Sequence, residues 1–175
     1  MKTAIRLTGT VLASLALLAG TAGTGQAARV NMTIRNTNSG RCLSVPAAST
    51  EFAYLNQFHC GVYVDQVWNL VYAGESGGKA WYKIVNVNSG LCLSVDAASQ
   101  DDWALITQYP CGTPLYPDQY WRFEDTDPRT GGDHVRNRNS NKCLAIADGS
   151  TAEAASAIQY SCGSWNDHYW KAIPQ

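Results

Sequence analysis

Charge is scarce in this 175-residue chain, where Asp, Glu, Lys and Arg together make up 15% of residues, against about a quarter in an ordinary soluble domain. Basic and acidic residues nearly cancel, 13 against 14, for a formal net charge of −1. The clustered Lys and Arg that displace counterions from nucleic acid are therefore missing, which excludes a sequence-independent nucleic-acid binder. No apolar run reaches the roughly 20 residues needed to cross a bilayer. No two cysteines form a Cys-x-x-Cys pair, so neither a zinc site nor a thioredoxin-like redox motif is supported. The three histidines (His59, His134, His168) sit in unrelated contexts, with no His-Glu-x-x-His and no Gly-x-Ser-x-Gly around a nucleophile. Asp125-Thr126-Asp127 starts like a calcium loop, but Pro128 and Arg129 interrupt it and the closing Glu is absent. Nothing places two carboxylates across a cleft as a glycoside hydrolase needs. These absences predict a protein without catalytic activity, metal or cofactor.

What is present begins at the amino terminus. Met1 to Arg6 carries two positive charges and no acid, residues 7–20 are uncharged and rich in Leu, Ala, Gly and Val, and Thr21 to Ala28 is small and polar. That order is expected of a secretory signal peptide spanning 1–27. It predicts a secreted, extracellular mature protein whose net charge is −3 once Lys2 and Arg6 are removed. All six cysteines (Cys42, Cys60, Cys92, Cys111, Cys143, Cys162) fall after that segment, and an even number in an oxidising compartment reads as disulfides.

The remainder repeats itself three times. Cys42, Cys92 and Cys143 are 50 and 51 residues apart, while Cys60, Cys111 and Cys162 are 51 and 51 apart. The text around them recurs: Ile34-Arg35-Asn36-Thr37-Asn38-Ser39-Gly40 returns as Ile84-Val85-Asn86-Val87-Asn88-Ser89-Gly90, and again as Val135-Arg136-Asn137-Arg138-Asn139-Ser140-Asn141. Each copy ends on Gln66-Val67-Trp68, Gln119-Tyr120-Trp121 or His168-Tyr169-Trp170. Asn-x-Asn-Ser-Gly is turn chemistry, with a left-handed backbone expected at Gly40, Gly90 and Asn141. Apolar residues at alternating positions (Leu43/Val45, Leu93/Val95) carry the period of a strand. Ala104 to Tyr109 and Ala157 to Tyr160 add strands before the second cysteines, and Trp68 to Tyr72 and Trp121 to Phe123 add more.

Three all-β copies of about 50 residues (approximately 32–80, 81–132 and 133–175 within a domain 30–175) are too few for a propeller. They fit a threefold β-trefoil. Treating the repeats alike leaves within-repeat pairing or two cyclic exchanges for the cysteines. The expectation taken is Cys42–Cys60, Cys92–Cys111 and Cys143–Cys162, each stabilising by about 3 kcal/mol in the chain-entropy model.

With its threefold period, paired cysteines and Gln-x-Trp endings, the chain resembles the ricin-type β-trefoil lectins. The resemblance covers nearly all of the chain after the signal and implies a carbohydrate-binding protein. The family's sugar-accepting Asp, two residues after the first cysteine, corresponds to Ser44, Ser94 and Ala145. Its stacking aromatic corresponds to Phe58, Tyr109 and Tyr160. The residue before Gln-x-Trp is Asp65, Asp118 and Asp167, and the Gln is Gln66, Gln119 and His168. A carboxylate lost on one side of each pocket is thus replaced by one on the other, with Asp96 an added acceptor in the second repeat; Asp65, Asp118 and Asp167 read equally as turn formers. Ser94, Tyr109, Asp118 and Gln119 make the second repeat the fullest expected site. Trp68, Trp121 and Trp170 are expected in the core, and Gln66 and Gln119 have a competing role as backbone partners. Tyr63, Tyr116 and Trp165 form a second ring set that reads equally as platforms or as barrel covers. Trp103, next to Asp101 and Asp102, falls outside the repeat pattern and reads as an exposed contact or, by default, as ordinary packing.

The resulting expectation is a secreted monomer with up to three weak glycan sites, binding neither nucleic acid nor membrane. A second reading is a protein-directed trefoil such as a secreted protease inhibitor. A third is a sugar-inactive scaffold.

Overall fold

The alternating apolar positions form the expected strands. The computed structural model describes residues 30–112 and 116–175; the expected signal peptide lies outside them. The first repeat contributes β1 (Val30–Asn36), β2 (Cys42–Ser44), β3 (Ala53–Tyr54), β4 (Asn56–Phe58) and β5 (Trp68–Ser76). The second contributes β6 (Lys79–Asn86), β7 (Cys92–Val95), β8 (Ile106–Tyr109) and β9 (Trp121–Glu124). The third contributes β10 (Asp133–Asn137), β11 (Cys143–Ile146), β12 (Ala157–Tyr160) and β13 (Tyr169–Pro174).

The first and last strands of each repeat close into a six-stranded antiparallel barrel in the order β1, β5, β6, β9, β10, β13 and back to β1. Closure leaves those six strands no free edge. The inner strands pair as three hairpins, β2 with β4, β7 with β8 and β11 with β12. This is a β-trefoil.

Trp68, Trp121 and Trp170 are fully buried, and each indole Nε1 donates to a hairpin carbonyl of its own repeat: Leu43, Leu93 and Leu144. Around them pack Ile34, Ile84 and Val135 from the barrel and Leu43, Leu93 and Leu144 from the hairpins. Burying each such side chain is worth about 1.5–3 kcal/mol. The indoles therefore supply bulk and also tie barrel to hairpin.

Polar residues knit one repeat to the next. Gln57, Gln108 and Gln159 are fully buried. Each Nε2 donates to two carbonyls of the preceding repeat in cyclic order: Ser150 and Ala152, Ser49 and Glu51, Ser99 and Asp101. Each Oε1 accepts from the turn serine of its own repeat, Ser39, Ser89 or Ser140. The turn asparagines do the same at the other seam. Asn36, Asn86 and Asn137 donate to the carbonyls of Asp167, Asp65 and Asp118. Their Oδ1 atoms accept from the turn's own amides, as at Asn38, Asn88 and Asn139. Gly40, Gly90 and Asn141 are left-handed, with φ of 69°, 71° and 60°. All six cysteines pair within their repeats, joining each hairpin's first strand to the loop after its second. Among the described residues no helix is long and apolar enough to cross a membrane.

Candidate functional site

Each hairpin carries a surface depression, and the three lie at corresponding positions, with volumes of about 400, 330 and 350 Å³ in repeats one to three. One wall is a tight turn, Pro46–Ala48, Asp96–Ala98 or Ala147–Gly149, following β2, β7 or β11. Its last two residues are left-handed in every repeat: Ala47 and Ala48, Ala97 and Ala98, Asp148 and Gly149, with φ between 49° and 60°. Alanine there costs about 1–2 kcal/mol per residue relative to an ordinary conformation, and the double reversal folds the chain back along the pocket.

The opposite wall is aromatic. Phe58, Tyr109 and Tyr160, at the ends of β4, β8 and β12, line the three depressions as expected. Tyr63, Tyr116 and Trp165 line them too. They lie back over the glycine after each second cysteine. A Cβ on Gly112 would fall 1.8 Å from Tyr116, and those on Gly61 and Gly163 would fall 2.4 and 1.9 Å from Tyr63 and Trp165. The Cys-Gly pair thus makes room for the ring.

A third ring comes from the preceding repeat. Phe52 lines the second pocket and Trp103 the third, while Ala154 stands at the same place in the first. These positions are 51 residues apart, so Trp103 belongs to the repeat pattern after all; it is 52% exposed. Its expected role of ordinary packing gives way to a pocket wall because its backbone amide donates to the Gln159 carbonyl, delivering the indole to Tyr160 of the next repeat. The common 51-residue offset was the signal for it.

The carboxylates sit low in each depression. Asp65 accepts from the Ser44 hydroxyl at 2.6 Å, and Asp118 accepts from Ser94 through a short bond between the same atoms. Oδ1 of Asp118 is buried without a partner. Ala145 offers no hydroxyl in the third repeat, where the His168 Nε2 lies 3.7 Å from Oδ2 of Asp167. Asp65, Asp118 and Asp167 are 3–7% exposed. Burial pushes the His168 imidazole below its usual value, with the Asp167 charge pulling the other way. Asp96 lines the second pocket, 3.4 Å from the Tyr54 hydroxyl, and Asp148, which the motif comparison missed, lines the third.

Gln66 and Gln119 are placed differently. Both are fully buried, and both ends of each amide are used by backbone. Gln66 accepts from Gly61 N–H and donates to His59 O, and Gln119 accepts from Gly112 N–H and donates to Pro110 O. They shape the cysteine loop that carries the second ring. A cluster of His134, Cys143 and Cys162 has metal-like spacing, but both cysteines are committed to one disulfide.

The family described as ricin-type beta-trefoil lectin domain-like matches residues 21–109, 64–160 and 117–175. No curated protein matches the sequence. Among solved structures, the designed threefold-symmetric protein ThreeFoil is 30% identical with a TM-score of 0.75, covering 82% of this chain and 97% of its own. The exo-beta-1,3-galactanase 1,3Gal43A from Clostridium thermocellum is 27% identical with a TM-score of 0.75; the match covers 83% of this chain but 30% of that one. The Rhizoctonia solani agglutinin shares the fold at 15% identity and a TM-score of 0.72, covering 85% of this chain and 96% of its own.

Proposed function

The chain belongs to the ricin-type β-trefoil lectin-like family, and from that premise we propose that it is a secreted, non-enzymatic carbohydrate-binding protein with three shallow glycan sites. One observation carries the reading: a depression with aromatic walls and a buried carboxylate recurs three times at corresponding positions. A pyranose offers an apolar face of C–H groups that packs on a ring, and hydroxyls that need acceptors. In the second repeat, Tyr109 and Tyr116 supply the rings. Ser94 occupies Oδ2 of Asp118, which leaves Oδ1 as an acceptor lacking a donor. An unpaired buried acceptor costs about 1–3 kcal/mol; the carboxylate within direct reach of sugar hydroxyls is Asp96, which lines the same pocket and is only partly buried.

Open pockets of this size hold one or two sugar units, so each site binds weakly. Engagement of two or three sites by one polysaccharide or glycan-coated surface then supplies avidity. The amino-terminal segment 1–27 supports export, and a monomer suffices because each site is complete within one chain.

The test is a glycan array followed by calorimetric titration of the strongest hits against the parent, Tyr109→Ala and Asp118→Ala. Each substitution is expected to weaken the second site by about 1–2 kcal/mol. Unchanged binding in both variants, or an array without a single hit, overturns the reading.

A further inference from the structure

The three pockets differ in a way that bears on the chemistry of the sugar. The second is walled by Phe52, Tyr109 and Tyr116 and carries two carboxylates, Asp96 and Asp118. The third is walled by Trp103, Tyr160 and Trp165 and also carries two, Asp148 and Asp167. The first has two rings, Phe58 and Tyr63, with Asp65 as its single carboxylate, and Pro46 and Ala47 stand where the other two have acids. Among the described residues no Lys or Arg lines any of the three.

In the third pocket both tryptophans meet Tyr160 nearly perpendicular to it, Trp103 at 5.4 Å and 80° and Trp165 at 6.2 Å and 84° between ring centroids and planes. Three aromatic rings thus line one pocket together with carboxylates, and an aromatic surface beside negative charge attracts a cation. Asp167 is 7% exposed and accepts no hydrogen bond among the described residues, whereas Asp65 and Asp118 each take one from a serine. Oδ1 of Asp118 is in turn left without a donor in the second pocket. Burial lowers the His168 imidazole below its usual value, which weakens any compensation of the Asp148 and Asp167 charges. A neutral sugar offers hydroxyl donors to these groups but leaves two negative charges, the exposed Asp148 and the buried Asp167, beside the aromatic walls. An ammonium group satisfies the charge and the rings together.

We propose that the second and third pockets are selective for saccharides bearing a free, protonated amine, such as β-linked oligomers of glucosamine, while the first is not. The proposal rests on the carbohydrate-binding reading and names the substrate class of the same sites.

The experiment is isothermal titration of the full chain with a glucosamine tetramer and with its fully N-acetylated counterpart, in one buffer near neutral pH. The amine form is expected to bind about tenfold more tightly. In an Asp96→Asn/Asp148→Asn variant with parental near-ultraviolet circular dichroism, the ratio of the two affinities is expected to fall toward one. Equal or weaker binding of the amine tetramer overturns the amine assignment and leaves the lectin reading standing, as does a preference that survives in the double variant. Displacement of the tetramer by an equal concentration of choline also overturns it, since the pocket would then recognise a free quaternary ammonium rather than a sugar. Absence of binding to any glycan on the array overturns both readings.

Discussion

Trp103 meets Tyr160 nearly edge to face, with 5.4 Å between ring centroids and 80° between planes, although the two rings belong to different repeats. Phe52 and Tyr109 repeat the relationship at 6.4 Å and 83°. Each of the two fuller pockets therefore straddles a boundary between repeats, and the first lacks this partner because Ala154 stands in its place. The left-handed backbone at Ala154, φ 58°, is close to the 69° at which Trp103 already sits, so the fold accepts a large side chain there.

Ala154→Trp is accordingly expected to strengthen the first site. In a Tyr109→Ala/Tyr160→Ala background, where the first pocket alone keeps its stacking ring, the added indole should contribute about 0.5–1.5 kcal/mol of glycan binding. Calorimetric titration of the triple and double variants side by side measures it. Equal affinities would mean that the inter-repeat ring takes no part in binding.

Gly112→Ala should damage the second pocket without unfolding the domain. A Cβ there would overlap the Tyr116 ring at 1.8 Å, forcing the ring off its wall. Glycan affinity at that site is expected to drop by about tenfold, with the circular dichroism spectrum retained. Gly77→Ala, at a φ of 61°, serves as the comparison: its Cβ would meet nothing within 4 Å, so it brings backbone strain without displacing a pocket ring.

Gln108→Leu should cost stability rather than binding. The substitution removes the fully buried Gln108 amide from the partly buried Ser49 and Glu51 carbonyls and the Ser89 hydroxyl. A loss of about 3 kcal/mol is expected in urea denaturation. A loss below about 1 kcal/mol would mean that water replaces the amide in the seam.

His168→Gln should flatten the mildly acidic side of the stability profile. Burial lowers the folded-state pKa of His168, so the unfolded chain takes up the proton first. Its contribution is complete above the usual histidine range and is lost as pH falls through that range toward the lowered folded value. Melting temperatures between about pH 7.5 and about pH 5 should fall in the parent and fall less in the variant. Glutamine at this position also restores the amide that serves the cysteine loop in the first two repeats.

Glu124 governs a more acidic window. Its side chain is 7% exposed and meets Lys79, Arg122 and Arg136. Desolvation favours the neutral acid, but hydrogen bonds from Lys79 and Arg122 and the arginine charges outweigh it and hold the carboxyl below the usual glutamate range. The stabilisation is full above that range and disappears as pH drops through the lowered folded value. Glu124→Gln is expected to cost about 2 kcal/mol at neutral pH, with the gap from the parent closing as the pH is lowered. Acid titration of the unfolding midpoint of both proteins checks the convergence.

The sequence by itself determined the repeat length, the strand content, the turn residues at Gly40, Gly90 and Asn141, the core tryptophans and the first ring of each pocket. These are legible because each is a local pattern written three times: alternation puts Leu43 and Val45 on one face, and a left-handed turn selects glycine or asparagine. The disulfide pairing also followed, since symmetry left few choices and the shortest loops were taken. What only the tertiary structure decided concerns groups that meet across repeats or compete for one partner. Gln66 and Gln119 have the chemistry of sugar ligands, but backbone groups of the cysteine loop reach their amides and bury them. Trp103 and Phe52 are unremarkable within their own repeats; barrel closure brings each beside the hairpin that follows, where it becomes a pocket wall. A side chain's alternatives in hydrogen bonding and packing are settled by distance in space, and threefold closure, not separation along the chain, sets that distance.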